Sequence, residues 1–215
     1  MEIKRFDRFL SESVISVDLK DFEKDLKGLL DREKTIDDFR KVCSDHNIIL
    51  KIGDEFYSKL TPEEKRNAPP QFAPLFATLD KETNKAILVV NNRDMEKNMK
   101  GSVSNFVHYN FNEIMKAMRH EHVHVGQVSR KGGRWDSSNG VSDEKSYFSN
   151  KDEVMAFART VSDEVMSQKP KSLEEAVGMI RRSGTWNRIS KIVDENTRNR
   201  YKKYVYSYLE KDFEK

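Results

Sequence analysis

Residues 111–128 read Phe-Asn-Glu-Ile-Met-Lys-Ala-Met-Arg-His-Glu-His-Val-His-Val-Gly-Gln-Val and have the apolar periodicity of an amphipathic helix. At about 100° per residue, most of the apolar side chains fall on one side of this helix, together with His122. His120, His124 and Gln127 fall on the opposite side, within a sector of roughly 60°. The stretch therefore predicts a helix from 111 to about 128 that packs one side into a core and presents two histidines to a cleft.

The same helix contains the pattern His120-Glu121-x-x-His124. Residues four apart are neighbours on one face of a helix, so the two imidazoles can share one zinc ion. The carboxylate of Glu121 lies beside such a metal, where it can act as a base on water without being a ligand. The pattern predicts one zinc ion per chain, with His120 and His124 as ligands and Glu121 as the catalytic residue.

A catalytic zinc ion takes a third protein ligand and leaves one position open for water. A third histidine at the spacing His-x-x-Gly-x-x-His is excluded, because the positions required hold Gln127 and Arg130. A glutamate on the following helix is the other option, and Glu153 begins such a helix. Its helical neighbours Ala156 and Thr160 are small, which would let this helix approach the motif helix closely.

Glu153 also has a competing interpretation as a helix cap. Asn150-x-x-Glu153 fits a capping box, whereas a cap at Ser149 with Asp152 in the reciprocal position would leave Glu153 free to bind metal. Carboxylates suit zinc equally well, so three further acids remain lesser candidates for the third ligand. These are Asp152, Asp136 and Glu144.

These features resemble the gluzincin kind of zincin metallopeptidase. The likeness covers residues 72–166: a β-hairpin upstream, the His-Glu-x-x-His helix, Gln127 three residues past the second histidine, and the helix start Glu153-x-x-Ala-x-Ala. The resemblance implies peptide-bond hydrolysis of a protein or peptide substrate, with zinc held by His120, His124 and Glu153 and with Glu121 as general base. The long glycine-rich loop between the two helices departs from the family pattern.

The remaining polar groups near the motif have less specific interpretations. His122 lies on the apolar stripe and is expected to be a hydrogen-bonded core histidine. His46 follows a helix and is expected to cap it, and His108 is either structural or near the cleft. No pattern identifies the donor that stabilises the oxyanion. The candidates are Tyr147, His108, Tyr109 and Arg134.

The whole chain is expected to be α+β, with a small antiparallel or mixed sheet packed on the motif helix and on a second ligand-bearing helix. The predicted division is a helical segment at 1–47, a catalytic core at 48–168 and a helical segment at 169–215. Three short helices precede residue 45, and a hairpin contains the central strand. The predicted strands are Ile48–Ile52, Pro74–Leu79, Lys85–Asn91 and Val103–Tyr109.

Beyond the motif helix we predict a long loop from Gly126 to Asn150, whose Arg130, Lys131 and Arg134 either cover the cleft and favour acidic substrates or are simply solvated. A helix capped at Ser149 or Asn150 follows it. Ser172 with Glu175 begins a short helix that ends near Gly184, and one long amphipathic helix, with apolar positions from Trp186 to Leu209, ends the chain.

Composition limits the class of protein. Charged residues make up 35% of the chain, but the net charge is only +3, which argues against a protein devoted to nucleic acid. Cys43 is the only cysteine, so no intrachain disulfide forms and a reducing compartment is expected. No apolar run is long enough to cross a bilayer, and the first 13 residues lack a signal-peptide core. We expect a cytoplasmic protein with no membrane partner.

A rival function rests on the C-terminal segment from Lys169, which has 12 Lys/Arg against 7 Asp/Glu and four interleaved tyrosines. Basic residues among aromatic ones can bind nucleic acid. A third possibility is a structural or scaffold-docking protein with a vestigial metal site. The opening Phe6-Asp-Arg-Phe-Leu-x-Glu12 is similar to the short leaders of many tailed-phage proteins, which would place a phage-encoded peptidase in the host cytoplasm or the virion.

Overall fold

The computed structural model describes residues 19–30, 34–62, 65, 75–80, 82–91, 102–132 and 143–214. These residues are mostly helical and include a three-stranded mixed sheet, so the predicted α+β class is confirmed. The chain divides into two compact units, Met1–Gly133 and Arg134–Lys215. The finer division at 47 and 168 stays a prediction, and the phage-like leader lies outside the described residues.

Two of the three predicted N-terminal helices are confirmed, and the first lies outside the described residues. Helix α1 spans Leu19–Gly28 and helix α2 spans Ile36–Asp45. Helix α2 begins with a capping box, in which Thr35 Oγ1 accepts the N–H of Asp38 while Asp38 Oδ2 accepts the N–H of Thr35. His46 is the C-cap of α2, as predicted.

The sheet contains β1 (Ile48–Ile52), β2 (Leu75–Leu79) and β3 (Ala86–Val90) in the order β1-β3-β2. Strand β3 pairs parallel with β1 and antiparallel with β2, so the predicted hairpin and the central position of its second strand are confirmed. Four of the five residues of β3 are buried, because a central strand with both faces covered has no solvent side. A short helix, α3 (Asp54–Tyr57), follows β1.

Helix α4 spans Val103–Arg130, 28 residues or about 42 Å, and corrects two predictions. The strand predicted at 103–109 is wrong: Val103, Phe106 and Val107 follow helical spacing, and all three are buried. The loop predicted from Gly126 is also wrong at its start, because α4 continues through the buried Gly126 to Arg130. Packing of its neighbours outweighs the low helix propensity of glycine here.

The described residues of the first unit share a continuous hydrophobic core. Helices α1, α2 and α4 and all three strands contribute side chains to it. Helix α4 packs against β2, β3 and α1, so the sheet supports the helix that carries the motif. The largest side chains with essentially no exposure in this core are Phe22, Leu26, Phe39, Leu88, Phe106, Ile114 and Met118.

All the secondary structure elements described in the second unit are helices. Its elements are α5 (Glu144–Ser149), α6 (Lys151–Met166), α7 (Leu173–Met179), a 3₁₀ turn (Ile180–Arg182), α8 (Gly184–Ile192) and α9 (Glu195–Phe213). Helix α5 shows that the predicted loop is also wrong at its end. Ser172 accepts the N–H of Glu175, as expected.

The single long C-terminal helix that we predicted is wrong, because two helices, α8 and α9, occupy its place. Val193 is in an extended conformation, and Asp194 starts the second helix by accepting the N–H of Thr197 at 2.7 Å. Aspartate is a strong N-cap and a poor interior helix residue, so the chain turns here. Helix α9 then packs along α6.

A half-buried arginine joins these two helices. Arg159 of α6 donates to Asp163 at 2.7 Å and pairs with Asp212 of α9 at 2.9 Å, and its guanidinium lies 5.4 Å from the ring centroid of Tyr208. The two carboxylates outweigh desolvation and raise the pKa of Arg159 above its ordinary value. The arginine therefore stays charged and ties α6 to α9.

We expect Arg159→Met to lower the free energy of unfolding by about 3–5 kcal/mol, because it leaves the buried carboxylate of Asp163 and the half-buried carboxylate of Asp212 without their cation. Arg40→Met is the control. Arg40 pairs with Glu55 at 2.7 Å, but both side chains are about two-fifths exposed, and such a pair contributes about 1 kcal/mol or less. Urea denaturation measures both variants, and equal effects would contradict the structural role of Arg159.

Candidate metal centre

The two motif histidines lie one turn apart on α4, as predicted. The ring centroids of His120 and His124 are 5.1 Å apart, and the ring planes are inclined by 67°. The α-helical spacing alone produces this proximity, since residues four apart stack on one face. Two imidazoles at this separation can direct one nitrogen each to a common ion.

A neighbouring glutamine orients His124. Its Nδ1 lies 2.9 Å from Gln127 Oε1, and both side chains are buried. An amide oxygen only accepts hydrogen bonds, so Nδ1 carries the hydrogen and donates it. The ring lone pair is therefore on Nε2, the nitrogen through which His124 would bind a metal. Hydrogen bonds from neighbouring residues select the ligating tautomer in this way.

His120 is kept neutral by its surroundings. Burial lowers its pKa from 6.5 to about 3, with a smaller contribution from the adjacent His124. A histidine binds metal only in its neutral form, so the residue is ready to act as a ligand throughout the neutral pH range.

This shift predicts how the stability of the zinc-free protein depends on pH. Between pH 6.5 and about 3 the unfolded chain binds a proton at His120 and the folded chain does not, so the free energy of unfolding falls as pH falls through this window. We expect His120→Asn to reduce that slope between pH 7 and 5. Urea midpoints at several pH values measure it, and identical slopes in wild type and variant would contradict the assignment.

Glu121 is only 7% exposed although it is a glutamate on a helix. Glutamate is rarely buried to this extent unless it has bonding partners or a function. It follows His120 directly, so its side chain points to one side of the helix face that carries the two imidazoles. This is the position expected of a base that acts next to a metal ion.

Glu153 is the third residue of α6 and is half-buried. The cap of this helix is Asn150, whose Oδ1 accepts the N–H of Asp152 at 2.9 Å. In a capping box, the side chain of Asn150 would instead accept the N–H of Glu153. Of the two hydrogen bonds that define a capping box at Asn150 and Glu153, the first is therefore not formed.

His120, His124 and Glu153 form a group that could hold a metal ion. Each offers one ligand atom, and these atoms all lie within 4.8 Å of one another. In the part of the chain that the structure describes, this group includes neither Asp152 nor Glu144, two of the lesser candidates. Glu144 pairs with Arg188 instead. The remaining candidate, Asp136, lies outside the described residues.

A tyrosine that the sequence did not single out lies near Glu153. The hydroxyl of Tyr201 in α9 donates to the carbonyl oxygen of Phe148 at 2.9 Å. Burial, and secondarily the Glu153 carboxylate, raise the pKa of Tyr201 well above its ordinary value, so the phenol stays protonated. A tyrosine in an amphipathic C-terminal helix carries no local signal for such a position.

Two of the four oxyanion candidates are wrong. His108 and Tyr109 are exposed and lie on the same helix as His120, about 18 Å before it along the axis, which is beyond the reach of either side chain. Arg134 lies outside the described residues. Tyr147 lies on α5 with 37% of its surface exposed.

The remaining histidines have no metal-binding arrangement among the described residues. His46 lies at the end of α2, where its Nε2 is 2.8 Å from Asp25 Oδ2. His122 is half-buried rather than fully inside the core.

No protein-family model matches the chain, and no curated protein or solved structure matches it either. Within the described residues, no helix combines the length and apolar character that crossing a bilayer requires.

Proposed function

We propose that the protein is a zinc-dependent metallopeptidase in which His120, His124 and Glu153 hold one zinc ion and Glu121 is the general base. One observation carries this proposal: the ligand atoms of these three residues lie within 4.8 Å of one another. Two imidazoles and one carboxylate make up the donor set of many catalytic zinc sites, in which the fourth position remains open to water.

The protonation of these residues fits a zinc ion. Burial keeps His120 neutral, and His124 donates Nδ1–H to Gln127, which directs Nε2 away from that bond. Histidine binds zinc as a neutral imidazole, through one ring nitrogen, while the other ring nitrogen donates a hydrogen bond.

When bound, zinc supplies Lewis-acid chemistry: it polarises a peptide carbonyl and makes a water molecule acidic enough to lose a proton near neutral pH. Glu121 accepts that proton as the water oxygen attacks the carbonyl carbon, and then delivers it to the departing nitrogen as the C–N bond breaks. The products are a carboxylic acid and an amine. The low exposure of Glu121 limits exchange of this proton with bulk solvent.

Zinc content and peptide hydrolysis test the proposal together. The chain is stripped with a chelator, reconstituted with zinc and assayed on a fluorogenic peptide mixture. We expect about one zinc per chain and hydrolysis only in the reconstituted sample. Hydrolysis that persists without zinc, or a chain that binds no zinc, would overturn the proposal.

The rival functions give different results in the same samples. A scaffold-docking protein with a vestigial site would bind zinc without hydrolysis, and a nucleic-acid-binding protein would retain DNA in a salt-dependent way. In α9, Tyr201 and Tyr208 are buried and Tyr204 is half-buried, while Tyr206 is 45% exposed. The helix thus uses most of its aromatic side chains for packing rather than offering them for base stacking.

A further inference from the structure

Three helices of the second unit, α5, α6 and α8, line a half-open cavity of about 230 Å³. Its apolar wall is aromatic: the ring centroids of Phe148 and Phe157 are 5.0 Å apart, and Tyr147 lies 5.3 and 5.9 Å from them. The buried Ile189 closes the wall from α8. The ring planes are steeply inclined to one another, so ring edges as well as faces are available to an occupant.

The charged groups at the cavity neutralise each other. Arg188 Nε donates to Glu144 Oε1 at 3.1 Å, and the guanidinium lies 5.5 Å from the ring centroid of Phe148. Both charged side chains are more than half exposed. Because the arginine is paired with a carboxylate and lies over a ring, the charges of this pair cancel, and the cavity lining has no net charge to attract an ionic occupant. Its lining favours a neutral, aromatic one.

The cavity lies one helical turn from the proposed zinc ligand Glu153. Phe157 follows Glu153 by four residues on α6, so both lie on the same face, about 6 Å apart along the axis. Tyr201 lies near both the cavity and Glu153. Its hydroxyl donates a hydrogen bond to the carbonyl oxygen of the cavity residue Phe148, and the Glu153 carboxylate contributes to its raised pKa.

From this placement we propose that the cavity binds an aromatic side chain of the polypeptide substrate close to the cleaved bond. The inference rests on the proposed peptidase function and deepens it by naming the substrate class. Phe148, Phe157 and Tyr147 surround the substrate ring, and the Arg188–Glu144 pair closes over it. Acidic side chains are disfavoured, because they meet rings and an arginine that is already neutralised.

Peptide cleavage and probe binding test this proposal separately. In cleavage, kcat/KM for a peptide with phenylalanine beside the cleaved bond should exceed that for its alanine or aspartate counterpart by roughly tenfold or more. In binding, N-acetyl-phenylalaninamide should perturb the NMR signals of Ile189 in the zinc-free chain, and N-acetyl-aspartamide should not. The second measurement needs neither zinc nor activity.

Tyr147→Ala removes one of the three rings from a partly exposed position and should reduce the aromatic preference by roughly threefold to tenfold. Tyr206→Ala is the control, because Tyr206 is exposed on α9 outside the cavity and should leave the preference unchanged. Cleavage with no aromatic preference, or a preference that Tyr147→Ala leaves intact, would overturn the cavity assignment alone. Binding of the aromatic probe without any hydrolysis would overturn the peptidase function and the substrate role, leaving only an aromatic-binding cavity.

Discussion

Glu121→Gln is expected to lower kcat for peptide hydrolysis about 10²–10⁴-fold while the chain still binds one zinc ion. Glutamine preserves the size of the side chain but cannot accept the proton of the attacking water. The carboxylate is buried beside the histidine pair and is not one of the three proposed ligands. Metal analysis of the same sample separates loss of the base from loss of the metal.

The matched control is Glu113→Gln on the same helix. Glu113 is exposed and pairs with Lys116 at 2.6 Å, a surface contact of small energetic weight. This variant should retain wild-type turnover. A Glu121→Gln enzyme within about tenfold of wild type would remove Glu121 from the role of general base.

Zinc binding should respond in a graded way to the residues around the site. His124→Ala is expected to reduce the zinc content from near one per chain to near zero, because a proposed ligand is lost. Gln127→Ala should weaken zinc affinity about 10–100-fold, since it releases the Nδ1–H of His124 without removing a ligand. Competition with a coloured chelator measures both.

The third ligand is tested by a pair of adjacent acids. Glu153→Ala should lower zinc affinity strongly, whereas Asp152→Asn should leave it nearly unchanged, because only Glu153 belongs to the group with His120 and His124. If Asp152→Asn has the larger effect, the ligand assignment on α6 is wrong, although the histidine pair is not affected.

Much of the first unit could be predicted because its signals are local. The hairpin was visible from two apolar runs around a polar turn, and the helix at 36–45 from Thr35 followed by Asp38, which form the capping box. The motif helix was visible from its periodicity. In each case the residues that determine the element are close together in the chain.

One error arose where tertiary packing outweighed a local pattern, and another where a local helix cap was overlooked. Val103–Tyr109 is rich in residues that suit strands, yet its apolar spacing places Val103, Phe106 and Val107 together in the helical core. The C-terminal helix was predicted as continuous because the apolar positions on both sides of Asp194 keep a helical period. The cap at Asp194 changes the direction of the chain without interrupting that period.

The sequence by itself determined how the polar side chains of the motif helix are arranged: the spacing of two imidazoles and a carboxylate depends only on the period of the α-helix. Only the tertiary structure decided which side chains from different helices lie close together. It places Tyr201 near Glu153, and it brings together the side chains that line the α5–α6–α8 cavity. Glu153 and Tyr201 are 48 positions apart in the sequence. Their proximity comes from burial of apolar surface between helices, which no local pattern of residues specifies.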